Sequence, residues 1–137
     1  MKCIILAGGY GTRLAEETKT KPKPLVEIGN KPIIWHLMKI YSHYGIKNFI
    51  ICLGYKGELL KKEVNYLNHD KNWNIKYVNT GLNTMTGGRI KRVKKYLSKN
   101  DNIFCLSYGD GLSDVNINKL IKFHKKNDKI VTLTAVK

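Results

Sequence analysis

The chain predicts an α/β fold: a doubly wound, mainly parallel sheet with helices on both faces. Three observations lead there. Lys2–Leu6 and Asn48–Leu53 are short, continuous apolar runs. They lack the alternation of a half-wetted sheet and read as strands buried on both sides. Stretches with three- and four-residue apolar spacing, the period of a helix, fall between them. The strand–helix–strand order then repeats along the whole chain, which favours parallel strands joined by helical crossovers.

The elements follow in order within one domain of 137 residues. Lys2–Leu6 is the first strand, and a glycine-rich loop follows it. Pro24 to Gly29 leads away from that loop as an extended piece. Lys31-Pro32 opens a helix, proline being suited to a first turn. Ile34, Leu37, Met38, Tyr41 and Tyr44 form its apolar face, and Gly45 suits its C-terminal cap. Asn48–Leu53 is the second strand, closed by Gly54. A helix from about Gly57 to Asn68 buries Leu60, Val64 and Leu67, and Trp73–Val78 is the third strand. The polar loop from Asn79 runs to Arg89 and into a helix that carries Ile90, Val93 and Leu97 on one face. Ile103–Ser107 is the fourth strand, Asn116–Lys126 a helix, and the β-branched run Ile130–Val136 a fifth strand. With the strand order 3-2-1-4, the topological switch lies between the first and fourth strands, where a ligand sits outside the carboxyl ends.

The formal net charge of +15 raises a nucleic-acid reading. Lys61, Lys62, Lys91, Arg92, Lys94, Lys95, Lys119, Lys122, Lys125 and Lys126 fall instead on the solvent faces of three separate helices. No helix-turn-helix, zinc-finger or aromatic RNA-binding pattern accompanies them, so a solvated basic surface is preferred to a nucleic-acid partner. No apolar run is long enough to span a membrane. Lys2 is followed by too few apolar residues for a secretory signal. Cys3, Cys52 and Cys105 lie inside strands and read as buried, reduced thiols, which points to the cytoplasm. His36 and His43 are too far apart on their helix to chelate one metal ion.

The chemistry concentrates where the first strand stops. Gly8, Gly9 and Gly11 let backbone N–H groups curl into an anion-binding nest. Arg13 follows, then Lys21 and Lys23, held between prolines in a stiff, extended unit. Backbone donors, a guanidinium and a positioned ammonium suit a polyphosphate. No Walker string Gly-x4-Gly-Lys-Ser/Thr occurs. The dinucleotide fingerprint fails at Leu14 and lacks its acidic residue after the second strand. Tyr108-Gly109-Asp110-Gly111 stands at the end of the fourth strand, where the turn reading is Asp110 bonding its own backbone. In a crevice shared with a polyphosphate, that carboxylate calls for a cation between them, and Mg²⁺ suits it.

Gly8-Gly9-Tyr10-Gly11-Thr12-Arg13-Leu14, followed by Thr and Pro22-Lys23-Pro24, resembles the signature of the sugar-1-phosphate nucleotidyltransferase family. Lys21 to His36, Met85 to Val93 and Tyr108 to Val115 resemble its cytidylyl branch, which acts on glucose 1-phosphate. The resemblance implies a Rossmann-like nucleotidyltransferase core. It implies transfer from CTP to glucose 1-phosphate, giving CDP-glucose and pyrophosphate for nucleotide-sugar and surface-polysaccharide synthesis. It assigns Arg13 to the leaving pyrophosphate, Lys23 to the α-phosphate or sugar phosphate, and Asp110 to Mg²⁺. Leu6, Ala7, Gly8, Gly9, Tyr10, Gly11, Thr12, Arg13, Lys23, Thr84, Arg89 and Gly109 would hold the nucleotide.

Two departures from the family pattern are expected. The segment between Val64 and Trp73 is shorter than in the family. Residues 1–137 would be the nucleotide-binding core, without the family's C-terminal sugar-binding half and its second metal-binding Asp. Self-association as a homo-oligomer would then be one way to rebuild the sugar wall. The competing reading is a truncated or degenerate module that binds CTP or a nucleotide sugar without turnover.

Overall fold

The structure, a computed structural model, describes residues 1–11, 20–68 and 72–135. Its centre is a four-stranded parallel sheet built from β1 (Lys2–Leu6), β4 (Asn48–Leu53), β5 (Asn74–Asn79) and β6 (Cys105–Tyr108). The order is β5-β4-β1-β6, the expected 3-2-1-4 arrangement. Helices α1 (Ile33–His43), α2 (Gly57–Leu67), α3 (Thr86–Val93) and α4 (Ile117–Asn127) complete the fold.

Alternate residues of each buried strand feed opposite faces of the sheet. Cys3, Ile5, Phe49 and Ile51 pack with Ile34, Leu37 and Met38 of α1 and Leu60 and Val64 of α2. Ile4, Leu6, Ile50 and Cys52 point the other way, onto Val78 and Val93. β1 and β4, covered on both faces, need no polar side and so read as unbroken apolar runs, whereas in β5 and β6 covered residues are interspersed with exposed ones. The three cysteines are free, with Cys3 and Cys52 buried and Cys105 partly so. Burial pushes the Cys52 thiol up to about 11, so it stays protonated and acts as a small hydrophobe.

Two expectations need correction. Between β1 and α1 the chain is not simply extended. It makes a 3₁₀ turn at Lys23–Leu25 and then a small hairpin of β2 (Glu27–Ile28) and β3 (Lys31–Pro32). Gly29 and Asn30 turn it with φ of 56° and 65°, the left-handed pair that a two-residue hairpin loop requires. His36 Nε2 donates to the Ile28 carbonyl at 2.8 Å and ties the hairpin to α1. The second correction is the fifth strand, since no strand forms over residues 130–135. Ile130 is fully exposed and Leu133 nearly so. β-Branched composition favours a pleated, packed surface, but a strand exists only where a neighbour pairs with it.

Lys2 Nζ reaches Asp101 Oδ2 at 2.6 Å and the Tyr96 carbonyl at 3.0 Å, fastening the start of β1 to the α3–β6 connection. The Lys2 ammonium and the Ser98 donors hold the Asp101 carboxyl well below the usual carboxylate range. A depressed folded-state pKa contributes stability above the ordinary carboxylate value of about 4 and loses it as pH falls into the acid range. Asp101→Asn is therefore expected to flatten the acid side of a plot of Tm against pH, measured by circular dichroism. An acid limb as steep as that of the wild type would show that this pair does not contribute.

Candidate active site

β1 lies between β4 and β6, so its carboxyl end is where the connections diverge. Leu6 pairs with Cys52 on one side and Tyr108 on the other, and the Gly109 amide donates to the Leu6 carbonyl at 2.9 Å. The glycine loop and the Gly109-Asp110-Gly111 turn thereby leave the sheet side by side. A cavity of about 910 Å³ opens there. Leu6, Ala7, Gly9, Tyr10 and Gly11 line it from the first loop, and Lys23, Asp110 and Gly111 join them. Residues 82–86 and Arg89 supply another wall.

Most of the expected site residues converge here. Gly8 and Gly109 are buried rather than lining the cavity. Thr12 and Arg13 lie outside the described residues. Lys23 and Asp110, 87 positions apart, form an ion pair between Nζ and Oδ2. Both side chains remain partly exposed, at 29% and 26%, so a ligand entering the cavity can reach either. The carboxylate already holds a cation, and its placement at a strand end suits a divalent metal shared with phosphate oxygens. Among the described residues no group of three or more His, Cys, Asp or Glu side chains is placed to hold a metal ion, and Asp110 is the carboxylate among those lining the cavity.

Arg89 is present but turned inward. It is 5% exposed, and its guanidinium donates to Thr80 Oγ1 (2.7 Å) and to the carbonyls of Gly81 (2.8 Å), Gly8 (2.9 Å), Leu82 (3.2 Å) and Leu53 (3.3 Å). Burial lowers its pKa, yet an arginine stays charged at neutral pH. Among the described residues the acceptors it meets are neutral, beneath the glycine loop.

Sequence reasoning missed several wall residues. Pro24, Leu82, Asn83 and Tyr108 line the cavity, and Tyr10 donates from its hydroxyl to Asn83 Oδ1 at 2.9 Å. Tyr108 directly precedes the Gly-Asp-Gly turn, so its place at the strand end was available as a signal. A second cavity of about 600 Å³, lined by Trp35, Lys39, His43 and Trp73 among others, lies near the amino ends of β4 and β5, away from Lys23 and Asp110.

The carboxyl ends of the strands at the switch point of a doubly wound α/β sheet are where such folds take their ligands, and the glycine loop, Lys23 and Asp110 stand there. A family model described as nucleotidyl transferase matches residues 2–137, and the chain belongs to that family. It is 50% identical to glucose-1-phosphate cytidylyltransferase of Salmonella typhimurium, over 98% of this chain and 60% of the relative. It is 42% identical to a probable glucose-1-phosphate cytidylyltransferase of Bacillus subtilis, over 99% of this chain and again 60% of the relative. The chain thus spans 60% of the length of these curated relatives. The Salmonella alignment runs over 155 positions against 137 residues here, so the relative carries extra residues inside the matched stretch. Among solved structures, HddC from Yersinia pseudotuberculosis complexed with GMP-PN superposes with a TM-score of 0.74 at 30% identity, covering 90% of this chain and 53% of that one.

Proposed function

We propose that this chain supplies the nucleotide-binding and phosphate-handling part of an enzyme that transfers a cytidylyl group from CTP to glucose 1-phosphate, giving CDP-glucose and pyrophosphate. The observation that carries this reading is the meeting of the glycine loop, Lys23 and Asp110 at the β1–β6 switch point, in a chain half identical to glucose-1-phosphate cytidylyltransferase. A place in nucleotide-sugar and surface-polysaccharide synthesis accords with that product. The free, largely buried thiols accord with a reducing, cytoplasmic setting.

The acceptor's phosphate oxygen is already ionised at neutral pH, so the reaction asks for alignment and charge neutralisation rather than a general base. The amides of residues 8–11 meet the triphosphate, and Arg13 meets the leaving pyrophosphate. Lys23, released from Asp110 as the ligand enters, follows the charge at the α-phosphate. Asp110 would hold Mg²⁺, which would supply Lewis acidity and positive charge to the transferring phosphate. Residues 82–86 meet the base. Arg89 stands behind them.

The test is pyrophosphate release that requires both CTP and glucose 1-phosphate. A second reading, a module that holds CTP without turning it over, is favoured by the single carboxylate that the described residues bring to the crevice. CTP binding with no pyrophosphate release from the chain or any assembly of it would establish that module instead. Neither binding nor release would overturn both.

Base preference follows from the same wall. A pocket that bonds one base leaves buried groups unpaired against another. CTP is expected to bind more tightly than UTP, dTTP and ATP in competition titrations, and equal affinities would remove the cytidylyl assignment while leaving the family intact.

A further inference from the structure

Three segments distant in sequence meet on one side chain. Arg89 Nη2 reaches Gly8 in the glycine loop, and Nη1 reaches Leu53 at the end of β4 and Thr80 and Gly81 just after β5. Three positions further along α3, Arg92 donates to the Thr80 carbonyl and to Thr84 Oγ1 at 2.8 Å. Helix α3 thus sends two guanidinium groups back onto the loop from which it springs. The glycines around them are shaped by this contact. A Cβ at Gly8 would stand 2.2 Å from Arg89 Nη1, and one at Gly81, where φ is +84°, would stand 2.5 Å from Arg92 Nη1.

The acceptors of Arg89 among the described residues are carbonyls and a hydroxyl, so the contacts they make are neutral hydrogen bonds. The guanidinium is a rigid fork that fixes where those carbonyls stand. We propose that Arg89 is a positioning residue for nucleotide selectivity: it locks the wall at residues 80–86 to the glycine loop, so that base and phosphates of one nucleotide are met at a fixed spacing. This rests on the reading that the crevice takes a cytidine nucleotide. Lysine in its place keeps the charge but offers a single ammonium, which cannot span five acceptors on three segments. With the spacing loosened, the wall adapts to a wrong base and selectivity falls.

The experiment compares the wild-type chain with Arg89→Lys in two measurements. Hydrogen–deuterium exchange on the nucleotide-free protein is expected to quicken over residues 8–11 and 80–86 together. Titration with CTP and UTP is expected to show the ratio of affinities reduced on the order of tenfold, the scale of losing one well-placed polar contact. Thermal unfolding checks that the variant is folded. If it is not, Arg92→Met at an exposed position carries both measurements, with a smaller change in the same direction. Unaltered exchange in both loops overturns the proposal, because a residue that only touched the base would leave the empty protein unchanged. A wild type that binds CTP and UTP equally overturns the cytidine reading itself. A wild type that discriminates, beside a folded variant that discriminates equally well, overturns the role of Arg89 alone.

Discussion

Lys23→Ala is expected to slow turnover by about a hundredfold or more while leaving the fold intact, the scale of removing one preorganised electrostatic group. Lys23 sits between Pro22 and Pro24 in a 3₁₀ turn whose two prolines are buried, so its backbone is placed without help from its side chain. In the ligand-free chain the ammonium rests on Asp110. That ion pair is partly exposed and contributes little to stability, of order 0–1 kcal/mol. Losing it costs far less than losing the charge proposed to meet the α-phosphate. Turnover and Tm are therefore expected to separate, with kcat collapsing and Tm barely moving. The measurement is pyrophosphate release by an assembly of this chain shown to be active, beside a calorimetric scan. A Lys23→Ala enzyme with unaltered kcat would remove the assigned role.

How much of this was legible follows from what each feature depends on. The limits of β1 and β4 were readable, because burial on both faces writes an apolar run, and the strand order 3-2-1-4, taken as a condition for the site, is the one the sheet has. The hairpin of β2 and β3 was not. Each of its strands has two residues, too few for any periodicity, and the signal was the Gly29-Asn30 pair. The run after residue 129 carried the composition of a strand but depended on pairing, which composition does not specify. Leu97 was read on the apolar face of one helix with Ile90 and Val93. The structure ends α3 at Val93 and adds a 3₁₀ turn over Lys94–Tyr96 that still brings Leu97 against the core.

The site divides in the same way. Gly8-Gly9-Tyr10-Gly11 and Gly109-Asp110-Gly111 were each visible as local strings, and the sheet order alone put them in one crevice. The bond between Lys23 and Asp110 joins elements 87 positions apart and has no local trace. Arg89 was visible as a cation in a glycine-containing loop, which reads naturally as a phosphate or base contact. That its donors go to backbone carbonyls depends on the path of three segments, and no spacing in the sequence encodes it. Gly54 read as a strand terminator. Its real constraint is tertiary.

That constraint sets the second large effect. A Cβ on Gly54 would lie 2.4 Å from the Gly8 carbonyl oxygen and 2.9 Å from the Gly8 Cα, backbone atoms that cannot swing aside. The same carbonyl accepts from the Tyr55 amide at 3.1 Å and from Arg89 at 2.9 Å, so displacing it disturbs the glycine loop from below. Gly54→Ala is expected to cost about 3 kcal/mol, the upper part of the usual range for overpacking, and to lower Tm by about 10 °C. Nucleotide affinity is expected to fall with it. Gly9→Ala provides the contrast. Among the described residues nothing lies within 4 Å of its added Cβ, and its backbone is not in the left-handed region, so Tm is expected to stay unchanged. Any loss of CTP affinity in that variant arises from the ligand's own approach to the loop, where a methyl group stands between phosphate and backbone amides. Isothermal titration with CTP and a thermal scan of both variants separate the two causes. Gly9→Ala binding CTP as tightly as the wild type would show that the triphosphate does not lie against this part of the loop.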